Sequence, residues 1–357
     1  MEETIRDLLL RHPCYGEEDV LKSLFQMLYG NGHLLSSQTA VQLRIAEEMA
    51  RVKDRPEEPL VEDLGSWLRL NIRPAKRAGL RPNWIAAMMR LSRPCTPDPQ
   101  RARLARAVEE LGDLPRIDKV RLRTLAQPLI GTRQIPSHSM RCYREEDPAY
   151  RVLDAAWAPI IPVLTTLNEV WRTEPMLLTI DGPSAAGKSQ LAAVLAAVLD
   201  APVIHSDDYC VPHSRKTPER LAIPGGNLDY ERLDTEILTP HFNQANIILR
   251  RYDCHEDRLT DIVHGIPRHG MILEGCYSNL PGIRERAQLR IFLQVSPEEA
   301  GRRIEQRNTP QEAETFRTRW MPLEQAYFEA YGLPDEGCMV LQTDGMELNR
   351  LEECLTI

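Results

Sequence analysis

The segment Met176–Gln190, MLLTIDGPSAAGKSQ, carries residue types at a spacing that binds phosphate. Gly182-Pro183-Ser184-Ala185-Ala186-Gly187-Lys188-Ser189 reads G-x-x-x-x-G-K-S, and Gln190 follows at the start of an expected helix. Gly182 and Gly187 allow backbone angles that other residues resist, so the loop can approach an anion closely. Successive N–H groups and the helix N-terminus form the cradle. Lys188 can neutralise the outer phosphates of a nucleotide, and the Ser189 hydroxyl can ligate Mg²⁺. These residues point to ATP and Mg²⁺ as cofactors.

Further chemistry-bearing residues follow downstream. Asp207 and Asp208 come directly after a short apolar run. One of them can accept the proton of an acceptor hydroxyl while the other positions metal or substrate. Glu274 ends another apolar run and precedes Gly275, from where it can reach the metal directly or through water. Arg303 and Arg307 are spaced i,i+4 and share one helix face, unlike the adjacent Arg302. Arg317 and Arg319 follow a polar segment, Asn308–Thr315, that reads as a lid. Arginines on a closing lid would screen developing charge and exclude water.

These residues need a scaffold that brings them together. From Met176 onward the pattern alternates between strand and helix. Strands are expected at Met176–Ile180, Pro202–His205, Gly270–Glu274, Arg290–Val295 and Cys338–Gln342. Helices are expected at Leu191–Leu199, Leu228–His241, Pro297–Asn308 and Glu312–Tyr331. Such alternation predicts a mostly parallel sheet covered by helices, with ligands at the carboxyl ends of the strands. The phosphate loop, Asp207, Asp208 and Glu274 all fall at those ends.

Residues 1–148 read as an all-helical domain. Val20, Leu21, Leu24, Phe25 and Leu28 recur at helical spacing, and Gly30-Asn31-Gly32 stops that helix. Ser36 and Ser37 can cap the next helix, which runs through Val41 to Val52. Leu60–Leu70, Pro82–Leu91, Gln100–Leu111 and Leu122–Ile130 are further helical candidates. Trp67 and Trp84 are expected in the core. His33 is the one polar oddity, read as a helix-end or locally bonded residue. Residues 149–172 read as a helical connector interrupted by Pro159 and Pro162, and 173–357 as the nucleotide-binding domain.

The chain has 357 residues, enough for two domains with separate cores. It has no apolar run of about 18 residues, and its acidic N-terminus lacks the pattern of a signal peptide. Eight scattered cysteines without a C-x-x-C pair argue against a disulfide framework, so the expected setting is cytoplasmic. The net charge of −8 conceals two basic stretches. Arg69–Arg106 carries ten Lys/Arg against one acid, and Arg116–Arg144 seven against one. No nucleic-acid-binding motif accompanies them, so solvated helix faces are the expected reading and nucleic acid is not an expected partner.

The ordered motifs IDGPSAAGKS, HSDDYC, GGNLDYERLD, RYDC, MILEGCYS, RRIEQR and RWMPLEQAYFEAY resemble the uridine kinase, phosphoribulokinase and pantothenate kinase group of P-loop kinases. The resemblance covers roughly half the chain, from 176 onward. It implies an α/β P-loop kinase fold and an ATP-dependent transfer of phosphate to a hydroxyl. Asp207 would be the general base, Tyr209 the aromatic of its turn, and Glu274 the magnesium-side acid. Asp229 and Tyr252 would hold substrate, and Arg303 with Arg307 would open the lid. Uridine kinases carry a histidine five residues after that tyrosine; here the position is Asp257, and His255 is out of register.

The expected function is therefore phosphorylation of a small-molecule hydroxyl, with Lys188 and the loop as the phosphate clamp. The helical domain would shape access, regulate or form a homodimer. Two alternatives stay open: a nucleoside monophosphate kinase-type reaction, and an ATP-binding switch with a basic partner-binding domain.

Overall fold

The computed structural model describes residues 1–31, 38–55, 57–92, 101–132, 134–171, 175–253, 256–264 and 270–356, with backbone only at 38, 261–264 and 356. His33, Ser36, Ser37, His255 and the expected boundary at 173 lie outside the described residues. The chain divides into two compact units, Met1–Thr165 with Glu353–Ile357, and Thr166–Glu352. Among the described residues no helix is long and apolar enough to cross a membrane.

In the first unit, the helix Glu17–Tyr29 ends at Gly30 as its pattern predicts, and Ile5, Leu8, Leu24, Phe25, Leu104 and Leu122 share its core. Trp67 and Trp84 are buried as expected. The unit also contains an antiparallel sheet of β1 (Val61–Asp63), β2 (Trp67–Asn71) and β3 (Tyr150–Asp154), in the order β1-β2-β3. This corrects the helical expectation over Leu60–Leu70 and over the first part of 149–172. The Asp63 carboxylate accepts the Gly65 N–H at 2.8 Å, which turns the chain back on itself. β2 is then buried along its whole length beside β3, pairing Leu68 with Leu153. Helix returns at Ile161–Val170, where Pro162 sits in the first turn and removes no required N–H.

Several arginines of the basic stretches are paired with acids within this unit. Arg73 pairs with Asp147 at 2.8 Å, Arg77 with Asp54 at 2.6 Å and Arg123 with Glu109 at 2.6 Å. Arg69 is fully buried, bonded to Gln26, Ser23 and Tyr15, with Tyr150 stacked 4.6 Å from its guanidinium. That arginine is a structural centre rather than a solvated face.

The second unit is built on a five-stranded parallel sheet. Its strands are β4 (Leu177–Asp181), β5 (Val203–His205), β8 (Met271–Glu274), β9 (Leu289–Gln294) and β10 (Cys338–Gln342), in the order β10-β9-β4-β8-β5. All five fall within a residue or two of their expected positions. β4 lies at the centre and every residue in it is buried, which is why it is mostly apolar, with Thr179 and Asp181 as buried polar exceptions. An antiparallel pair, β6 (Ile247–Asp253) and β7 (Arg258–His264), stands apart from this sheet.

The expected helix Leu228–His241 is found as a run from Tyr230 to Phe242 with a π-type stretch at Asp234–Leu238. Another π stretch, Phe316–Trp320, interrupts the helical run from Pro310 to Tyr331. Each lies just upstream of a proline, Pro240 or Pro322. Proline offers no N–H to the preceding turn and crowds it, so the turn widens.

Candidate functional site

The phosphate loop joins β4 to the helix Lys188–Leu199. Gly182 adopts φ +139°, and a Cβ there would lie 2.4 Å from the Leu293 carbonyl oxygen of β9. Gly187 opens the helix at φ +91°. Gly182→Ala is therefore expected to cost about 1–3 kcal/mol in stability, through forced backbone displacement, and to abolish nucleotide binding. A thermal melt and an ATP titration check this; wild-type values in both would contradict the tight β4–β9 junction.

Asp181 anchors the base of the loop. It is fully buried and accepts from Gly182 N–H at 2.7 Å, Asn279 N–H at 2.9 Å and the Tyr327 hydroxyl at 2.7 Å. Burial raises its pKa to about 6, against those donors and Lys188, which pull it down. Glu324, buried on the helix Met321–Tyr331, grips the outer part of the loop. It accepts the Ser184 N–H at 2.9 Å and the Ser184 hydroxyl at 2.6 Å. Gln190 donates to Glu352 at 2.9 Å, while Pro183 and Ala185 complete the turn and Ala186 is buried within it.

Lys188 folds back on the loop, donating to the carbonyls of Gly182 and Pro183 at 2.9 Å each. It therefore sits at the mouth of the cradle. Ser189 donates to Glu274 at 3.0 Å, joining the first turn of the helix to the carboxyl end of β8. The Glu274 oxygen that accepts it also receives the ring Nδ1 of His205 at the end of β5, and this bond raises the His205 pKa.

Asp207 follows at the end of β5. It is exposed at its surface, yet the surrounding protein desolvates its carboxyl group. That desolvation raises its pKa; Lys188 opposes the rise, Glu274 adds to it, and His205 and Arg307 oppose it. Lys188, Glu274, His205 and Arg307 thus all act electrostatically on one carboxyl group.

The other expected residues divide by position. Asp208 pairs with Arg251 at 3.2 Å, and its carbonyl accepts from Arg232 at 2.7 Å. Tyr209 is wholly buried, with the Arg232 guanidinium 4.2 Å from its ring, so in this conformation it forms the wall and offers no ligand surface. Asp229 caps the helix at Tyr230 and receives Arg215 at 2.8 Å. Tyr252 donates to Asp257 at 2.5 Å and accepts from His213 N–H at 3.2 Å. Arg303 bonds the Ala185 carbonyl at 3.1 Å and the Thr343 carbonyl at 2.8 Å, which ties it to the back of the loop. Arg317 is exposed and paired with Glu314 and Glu305, and Arg319 stacks on Trp320. The expected lid begins as a helix, with Thr309 and Glu312 forming a reciprocal cap.

His205, Asp181 and Glu324 were not singled out from the sequence. His205 directly precedes the Asp207 turn, which is the one signal that could have flagged it. Asp181 and Glu324 act through partners far along the chain.

The donor set suits magnesium. Ser189 and Glu274 offer hard oxygens at adjoining strand and helix ends, next to an anion cradle. The strand order, with the G-x-x-x-x-G-K-S loop leaving the central strand, makes this unit a parallel α/β fold built around a phosphate-binding loop.

No protein-family model matches the chain, and no curated protein matches it. Solved structures are similar over about half of it. One described as a possible uridine kinase from Bacillus stearothermophilus shares 18% identity over 50% of this chain and 99% of that one, with a TM-score of 0.38. A structure from Silicibacter sp. TM1040 bearing the name fructose transport system kinase shares 22% identity over 49% and 94%, with a TM-score of 0.41. A deoxyadenosine kinase from M. mycoides with bound dATP shares 14% identity over 51% and 97%, with a TM-score of 0.24.

Proposed function

We propose that the chain is an ATP- and Mg²⁺-dependent kinase that phosphorylates a hydroxyl group of a small metabolite. The reading is carried by one observation: the phosphate-loop lysine, the Ser189–Glu274 pair and the solvent-open Asp207 meet at the carboxyl ends of three parallel strands. Phosphoryl transfer calls for an anion cradle, a metal site and a group that takes the acceptor's proton. Ser189 and Glu274 would hold the Mg²⁺, whose role when bound is to neutralise charge on the phosphates. Lys188 and the loop N–H groups orient the phosphates, and Asp207 takes the proton of the acceptor oxygen. Arg307 adds positive charge at the same place.

The acceptor would lie between Asp207 and the Tyr252–Asp257 pair. Tyr252 and Asp257 bond each other and the His213 backbone, so they form a preset polar wall for a hydroxylated ligand.

Glu274→Gln tests the metal assignment. The variant is expected to raise the Mg²⁺ concentration for half-maximal turnover by about 10–100-fold, the scale seen when metal-site partners are removed. Chelation should stop turnover in the parent protein and Mg²⁺ should restore it. An unchanged Mg²⁺ requirement in Glu274→Gln would remove Glu274 from the metal site.

A further inference from the structure

The first unit holds a cluster of metal-ligating atoms that the phosphate chemistry does not use. Cys14 Sγ, Cys142 Sγ and a carboxylate oxygen of Glu146 all lie within 4.8 Å of one another. Cys14 and Cys142 are 3% and 0% exposed, and both are free thiols. Their convergence has a local cause. Cys142 and Glu146 are one helical turn apart, with Glu146 N–H donating to the Cys142 carbonyl at 2.8 Å, so both side chains share a face. Cys14 comes from the turn after the helix Glu2–Arg11, where Tyr15 N–H bonds the His12 carbonyl at 3.0 Å.

We propose that Cys14, Cys142 and Glu146 bind a thiophilic divalent cation, zinc in the first instance, with its fourth position open to the adjoining cavity. Tetrahedral zinc, with sulfur at about 2.3 Å and oxygen at about 2.0 Å, needs sulfur–sulfur and sulfur–oxygen separations of about 3.5–3.8 Å. The observed separations, all within 4.8 Å, need to contract by no more than about 1.3 Å to reach those values. Binding exchanges the two thiol protons, released to solvent, for the cation.

Two observations favour a site over a pair of inert buried thiols. First, Glu146 is held as a ligating carboxylate usually is. One of its oxygens receives His12 Nδ1 at 2.6 Å, and the His12 Nε2 is bound by Glu62 at 3.0 Å. Glu146 also accepts a hydrogen bond from the Cys14 thiol, whose proton a bound cation would replace. Second, His12, Tyr15, Glu62 and Glu146 line a cavity of about 930 Å³, so Glu146 faces both the thiols and an open volume. Three protein ligands and one open position are the pattern of zinc sites that bind a further ligand.

Asp19 and His138 also approach Cys142 within 4.8 Å, but their atoms are engaged elsewhere. Asp19 accepts from His138, Ser139 and Gly16, and the second His138 nitrogen meets the Tyr150 hydroxyl at 2.6 Å. They form the supporting shell.

The test is a Co²⁺ titration of the full-length chain, purified reduced and stripped with a chelator. One equivalent of Co²⁺ should produce thiolate-to-cobalt charge-transfer absorption and the intense visible bands of a four-coordinate ion, both displaced by Zn²⁺. Cys14→Ser and Cys142→Ser should each lose charge-transfer intensity, and Glu146→Gln should weaken affinity at least about tenfold. Absence of the charge-transfer band in the parent protein overturns the proposal, whatever the variants do. A band of undiminished intensity in both Cys14→Ser and Cys142→Ser overturns it too, since the ion then sits on other cysteines.

Discussion

Replacing Asp207 by Asn is expected to lower kcat by about 10²–10⁴-fold while leaving ATP affinity close to that of the parent protein. The substitution keeps the shape of the side chain and removes its ability to take a proton. Among the described residues no hydrogen bond ties the Asp207 side chain to the phosphate loop, so ATP affinity is expected to change little. The pH profile supplies a second readout. Desolvation raises the Asp207 pKa, and only the carboxylate form can act as a base. Activity of the free enzyme should therefore fall as pH drops through a value above that of an ordinary aspartate. That acid limb should vanish in Asp207→Asn. Stopped-flow ATP binding alongside steady-state turnover separates the two effects. Unchanged turnover would remove Asp207 from the chemistry.

Lys188→Ala is expected to reduce kcat by about 10²–10³-fold, the cost of deleting one preorganised donor to developing charge, and to weaken ATP binding as well. Here both parameters are expected to move, because in the proposed reaction the ammonium would contact the phosphates before and during transfer. The variant should still fold. Asp181 and Glu324 hold the loop through bonds in which Lys188 takes no part. A melt at the parent temperature together with lost turnover is the expected pair of results. Full turnover in Lys188→Ala would exclude the loop as a phosphate clamp.

The parts of this fold that were legible in the sequence are those set by short-range pattern. β4 is buried along its whole length and apolar at Leu177, Leu178 and Ile180, and the glycines after it mark a loop that suits their backbone freedom. The other parallel strands are likewise short apolar runs between helices, which is why all five could be placed. The sheet of the first unit was hidden because β2 finds its partner β3 far along the chain, and Leu64, Trp67, Leu68 and Leu70 also suit a helix. The β6–β7 pair escaped for a related reason. Its residues alternate between buried and exposed over Ile247–Asp253, with arginines at two positions.

The candidate site shows the same division. Lys188, Ser189, Asp207 and Glu274 declare themselves by type and by position after a strand. Glu324 does not, because it reaches Ser184 across 140 residues. Tyr209 was legible as the aromatic beside Asp207, but not its cover, since Arg232 comes to its ring from elsewhere in the chain.

The most direct test of the central claim is transfer of radiolabelled γ-phosphate from Mg·ATP to a panel of nucleosides, sugars, vitamins and amino-acid alcohols, with Lys188→Ala as control. The account predicts that at least one hydroxyl compound becomes labelled, and that the label is lost in the variant. It is contradicted if no compound is labelled and ATP turnover responds only to nucleic acid or to a protein partner.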